Sequence, residues 1–352
     1  MKRSLDQVIQ EASETIQTDT EAETVLLILQ EIVDQARDGK GAARNRALAQ
    51  MAVWIETYPD LMMVASMSVI AGALVEFGGQ ADIAFPAIWK RIVSILPGII
   101  SFVGICRSEG AFEEDDPRAI LVKVAERMPQ QALQWQALNS MYLGAISMMA
   151  RSVDNRQKAR KDRDVIRALE GVSPIHEGAN WLYRMLASLD QEEVIVIHPA
   201  QKKAFRVVLN GIASLGQLEI LLGDCLIDAE REDRLDGIES APSVVKLMQG
   251  QTQEKALAAI GVFEMGSYRA LKADGQLDAD LLFNVNELPA AFLPFQGRRV
   301  VLLKNSSQQR VLKAQSPFDS MAASCQLVQV LNENETESYL KNILEVNAGT
   351  HD

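Results

Sequence analysis

Three histidines and three cysteines have the widest chemical range in this chain, and their placement narrows what they can do. His176-Glu177 opens the pattern of a helical zinc protease, in which two histidines four residues apart face one ion. Asn180 stands where the second histidine must be, so that helix cannot bring two ligands to a metal. His198 closes an apolar run just before Pro199, and His351 lies in the final residues, so a multi-histidine site is not expected. A thiol nucleophile needs a base that the fold carries to it, and Cys225 or Cys325 with His198 is the one pairing worth naming. Cys225 falls on an apolar helical stripe and Cys325 opens an apolar strand, where a thiol ordinarily fills the interior. With Cys106 the cysteines are odd in number, far apart and outside any Cys-x-x-Cys pair, so neither a disulfide framework nor structural zinc is expected.

Phosphate chemistry lacks its loops: no Gly-x-x-x-x-Gly-Lys-Ser/Thr and no Gly-x-Gly-x-x-Gly occurs between a strand and a helix. Gly211-Ile-Ala-Ser214-Leu-Gly216 has one residue too many before the serine for a nucleophile elbow. Residues 224–239 carry seven acids (Asp224, Asp228, Glu230, Glu232, Asp233, Asp236, Glu239) against Arg231 and Arg234. Asp224, Asp228 and Glu232 can align on a helix face and suit a weak calcium or magnesium site. Without the spaced ligands of a calcium loop, a solvated acidic loop is the expectation. No cofactor is expected.

The one basic stretch is 151–167. Read as a single helix it puts Arg156, Arg160 and Arg163 on one face, and Lys158 pairs with Asp162. Such a segment is either a solvated connecting helix or a docking face for another protein, an acidic one. Nucleic acid is not expected: the formal charge is −12, and no aromatic residues interleave with the basic ones.

The elements that must position these residues change character along the chain. To about residue 190 the apolar period is helical: Val25, Leu29, Ile32 and Ala36 share a face, as do Ala47, Met51, Trp54 and Tyr58. Gly39 to Gly41, Tyr58 to Asp60, Gly78-Gly79 and residues 110–117 read as turns between helices. All four tryptophans lie in this half. Segments 61–75 and 92–106 carry no charge, the second interrupted by Pro97-Gly98. At about 15 residues each they read as central core helices, with conditional membrane insertion as the alternative. Breaks recur at two-helix spacing without a repeated signature, which leaves an irregular bundle or a HEAT-like stack, with the bundle favoured.

After a boundary near residue 171, strands begin. Residues 195–198 and 205–212 read as an antiparallel hairpin around Lys202-Lys203, covered on one side, with Ser214 capping the helix that follows. Segments 259–272 and 277–285 flank Asp274-Gly275 as a second hairpin, and 299–304 has 310–314 as its return partner. The last strand is 326–331. Asn334 and Glu337 make a capping box for a final helix that frays from Val346.

The chain therefore reads as an α+β protein in two domains. An all-helical one spans 1–170; a smaller α+β one, with a mainly antiparallel sheet, spans 171–352. The polar, acidic residues after Met1-Lys2-Arg3 do not continue a signal peptide, and the composition suits a bacterial cytoplasmic protein. Without a catalytic motif, the functional expectation is a non-enzymatic adaptor, scaffold or regulatory subunit. A hydrolase or transferase built around His198 and a membrane-active effector using 61–75 and 92–106 are the rivals.

Overall fold

The computed structural model describes residues 3–17, 20–111, 118–252, 254, 256–285 and 287–349. His351 and most of the turn expected at 110–117 lie outside them. The chain divides into two compact units, Met1–Leu186 and Ala187–Asp352.

The first unit is all helical: α1 (Leu5–Thr15), α2 (Ala22–Asp38), α3 (Gly41–Thr57), α4 (Leu61–Glu76), α5 (Phe85–Ser108), α6 (Arg118–Arg127), α7 (Pro129–Ala150), α8 (Val153–Ala159), α9 (Arg163–Val172) and α10 (Glu177–Leu186). Local chemistry sets the starts. The Ser4 hydroxyl and the Gln7 side chain cap α1 reciprocally, and Asp60 Oδ1 accepts the Met63 N–H at 2.8 Å to open α4. Helix α7 lies against α4, α5 and α10 together, and α3 against both α4 and α5. In a repeat stack each helix would meet its sequence neighbours, so this is an irregular bundle.

Pro97 does not interrupt α5. It sits on the solvent side, while Ile92, Leu96, Ile99 and Val103 are buried on the other and hold the helix in register across the lost hydrogen bond. Among the described residues α5 is the one helix long and apolar enough to cross a membrane by length and composition. The division after Leu186, rather than near 171, follows from α10. Its Leu182, Met185 and Leu186 are buried, and the helix packs on α7 and α9.

The second unit contains β1 (Glu192–His198), β2 (Lys203–Asn210), α11 (Leu215–Leu226), α12 (Pro242–Met248), β3 (Leu257–Gly266), the short β4 (Pro294–Phe295), β5 (Arg298–Ala314), β6 (Ser324–Val330) and α13 (Glu333–Gly349). The sheet runs β3-β5-β1-β2-β6, with β4 beside β5. It is mixed: β1 pairs parallel with β5, while the other pairings, β1 with β2 included, are antiparallel. The seam follows from an unbroken apolar run at β1, where Val194, Ile195, Val196 and Ile197 are all buried. A strand of that kind belongs in the middle of a sheet with both faces covered, not in a hairpin covered on one side. Val194 and Val196 face the core under α11 and α12; Ile195 and Ile197 face α13.

Three local expectations change. The hairpin of 259–272 with 277–285 is reduced to the turn at Asp274-Gly275 and two isolated antiparallel bridges. β3 pairs with β5 from Leu257↔Ala314 to Gly266↔Leu302, which carries Phe263 and Met265 into the core, and 277–285 touches only through single bridges. Segments 299–304 and 310–314 are not partners but two halves of the one long strand β5, both paired to β3. The final capping box is Asn332 with Glu335, whose reciprocal bonds are 2.9 and 3.0 Å, so the helix starts earlier than an Asn334 cap implies. It also runs past Val346, because the Asn347 amide donates to the Tyr268 and Leu271 carbonyls at 3.0 and 2.9 Å.

Candidate functional site

Both described histidines do the same structural work. The Ala179 N–H donates to His176 Nδ1 at 3.1 Å, opening α10, and the Gln201 N–H donates to His198 Nδ1 at 3.2 Å, opening a single 3-10 turn over Pro199–Gln201. An accepting Nδ1 puts the proton of a neutral ring on Nε2. That hydrogen points at the Trp135 carbonyl oxygen, 2.9 Å away, for His176, and at Asn305 Oδ1, 3.1 Å away, for His198. The charged groups acting on His198 are Lys203 and Asp236, and no thiol is among them. The pairing of His198 with Cys225 or Cys325 is therefore not what these ring nitrogens serve.

Burial, more than any neighbour, pushes both histidines below the ordinary value of 6.5. The folded rings stay neutral at pH values where the unfolded chain takes up protons. Their contribution to stability is complete above about pH 6.5 and is lost as pH falls towards the depressed folded values. Lowering the pH from about 7 to about 5 is expected to reduce unfolding free energy by up to about 1.4 kcal/mol per pH unit for each histidine. His176→Gln should flatten that slope when unfolding is followed by tryptophan fluorescence, since Trp135 lies 4.4 Å from the His176 ring by centroids. An unchanged slope would contradict the assignment.

The basic residues of 151–167 do not form one solvent-facing patch. Residues 151–167 hold two short helices, α8 and the start of α9, rather than one. Arg156 is 2% exposed, and its guanidinium donates to the Met149 and Ala150 carbonyls, the second at 3.3 Å. Arg160 donates to the Leu186 and Met185 carbonyls at 2.8 and 3.4 Å. Of the three, Arg163 alone is exposed.

These bonds close the C-termini of α7 and α10, where final carbonyls lack partners and the helix dipole favours a cation. The same device recurs in the unit. Arg44 donates to Ala36 and Arg37 at 2.8 and 3.2 Å, ending α2. Arg91 donates to Ile55, Glu56 and Tyr58 at 2.7, 2.9 and 3.0 Å, ending α3.

Among the described residues no group of three or more His, Cys, Asp and Glu is placed to hold a metal ion. The acidic residues of 224–239 bond locally instead, as Asp233 does with Arg231 at 2.8 Å.

The second unit presents two sheet edges. β3 is occupied where it bends: Glu219, 1% exposed, accepts the Phe263 N–H at 3.0 Å, and the Phe283 N–H donates to the Met265 carbonyl at 2.8 Å. β6 carries less cover, although α11 packs against it. Its seven residues, SerCysGlnLeuValGlnVal, include no charge and no proline, and among the described residues only β2 pairs with it. Its register shifts opposite Arg206 and Val207, which leaves Val328 without a partner residue and 47% exposed. Among the described residues, no backbone group bonds to 324–330 from the side away from β2.

Helix α11 packs on β6, and Cys225 of the helix and Cys325 of the strand border the same apolar core. The uncharged run of β6 was open to view in the sequence. The packing of α11 on β6 had no signal there, because it depends on which strand ends up beside β2. No protein family, curated protein or solved structure matches the chain.

Proposed function

We propose that this chain is a non-enzymatic interaction protein, an adaptor or regulatory subunit of the cytoplasm, that captures an extended segment of another protein by strand addition to β6. One observation carries the reading: β6 is an edge strand without the charges or prolines that ordinarily keep edges from pairing. Strand addition draws affinity from main-chain hydrogen bonds and selectivity from alternate side chains. Val328 supplies an apolar contact, and Glu333 and Glu335 follow at once in α13. Together they suit a segment with an apolar centre and a basic flank. The acidic partner expected from residues 151–167 loses its ground, since Arg156 faces inward.

Val328→Lys tests this without disturbing the core. Peptides selected by display on the wild-type chain are expected to bind the variant about tenfold more weakly, a loss of about 1.4 kcal/mol, with unfolding unchanged. Equal affinity for both proteins would contradict strand capture. So would a wild-type edge that pairs only with a second copy of itself.

A further inference from the structure

Glu333, Glu337, Leu340 and Leu344 fall on one stripe of α13 at helical spacing. The stripe is one wall of a cavity of about 300 Å³. Pro199, Ala200 and Lys202, from the turn between β1 and β2, form a second wall, and Leu271 with Asp274 a third. Each wall is braced. The Gln201 side chain accepts the Asp236 N–H at 3.0 Å and donates to the Asp236 carbonyl at 3.2 Å, which holds the first turn. Asp274 Oδ1 accepts the Gln276 N–H at 2.9 Å, and the Asn332–Glu335 cap fixes where α13 begins. We propose that this groove receives an arginine side chain from the flank of the segment captured on β6. The inference rests on strand capture and deepens it, by giving the basic flank its pocket.

Charge and shape select the occupant. The floor is apolar: Leu271 is buried, and Leu340 and Leu344 are half-buried. Over it stand three exposed carboxylates, those of Asp274, Glu333 and Glu337, against the single ammonium of Lys202. Among the described residues no basic side chain forms an ion pair with any of the three. An apolar side chain entering here would displace water from carboxylates without replacing it, and an acidic one would be repelled. A long basic side chain lays its aliphatic stem on the leucines and keeps its charge at the rim. Guanidinium suits the rim better than ammonium, being more weakly hydrated and able to bond two carboxylates at once. The cavity is at the small end for ligand sites, which fits one side chain rather than a larger molecule. Glu333 follows Val330, the end of β6, by three residues. An extended segment advances roughly 3.3 Å per residue, so its arginine stands about three residues past the paired stretch.

The test compares a display-selected peptide carrying that arginine with the same peptide bearing citrulline, which keeps the shape and loses the charge. Citrulline is expected to weaken binding to the wild-type chain about tenfold, and to change binding to Glu337→Gln by less than about twofold. Val328→Lys should weaken both peptides alike, so a failure of strand capture is read separately from a failure of the groove. Agmatine, a guanidinium on an aliphatic chain, probes the groove without any strand. Titrated into the full chain, it should shift the Leu340 and Leu344 methyl resonances in wild type and leave those of Glu337→Gln in place. Selected peptides without a basic residue on that flank would overturn the proposal. So would an equal citrulline effect in wild type and Glu337→Gln, or leucine methyls that agmatine does not move.

Discussion

Replacing Arg156 by alanine is expected to destabilise the helical unit by about 3 kcal/mol. The change removes a buried guanidinium from the end of α7, strips the Met149 and Ala150 carbonyls of their donor, and leaves a cavity where the side chain packed. Lysine should recover only part of the loss, because its single ammonium cannot reproduce the planar fork of a guanidinium. Arg163→Ala, at an exposed position, should stay within about 0.5 kcal/mol of wild type. All four tryptophans belong to the first unit, so urea unfolding followed by their fluorescence reports on that unit directly. Similar small losses at Arg156 and Arg163 would mean that the internal cap contributes little.

Gly144→Ala is expected to cost about 2–3 kcal/mol, although alanine is the better helix former by about 1 kcal/mol. Helices α4 and α7 approach so closely that a Cβ at residue 144 would lie 2.1 Å from the Ser68 carbonyl oxygen. A Cβ at Gly72 would likewise lie 2.9 Å from the Gly144 Cα. The obstacle is backbone, which no rotamer change relieves, so the two helices must separate and loosen the buried contacts of Met67, Ala71, Met141 and Met148. Gly171→Ala is the control: nothing lies within 4 Å of its added carbon, and the helix should gain about 0.5 kcal/mol. If both substitutions stabilise, the close crossing is not present.

Much of the architecture is legible where one physical rule decides alone. The helical stripes of α2 and α3 appear as read, since an amphipathic face needs only a core to meet. The change from helix to strand before residue 194 follows from β-branched residues in an unbroken run. Partner choice is another matter. β3 pairs along its length with the distant β5, burying Phe263 and Met265, while the Asp274-Gly275 turn forms but closes only the Leu271↔Leu277 bridge. Pro97 stayed helical because packing on one face outweighed the one lost hydrogen bond.

The expected site failed at Arg156 for a reason local pattern cannot express. Helical spacing tells which residues share a face, not whether that face meets solvent or the open end of a neighbouring helix. The placing of β6 beside β2 and under α11 was invisible for the complementary reason, because it depends on long-range pairing.

Amide hydrogen exchange across residues 324–330 tests the central claim most directly, measured on the free chain and again with a peptide that binds the wild type but is weakened by Val328→Lys. Strand capture predicts slower exchange in β6 on binding, because outward-facing amides gain carbonyl partners from the added strand. Binding that leaves 324–330 unchanged and protects only amides elsewhere would contradict it.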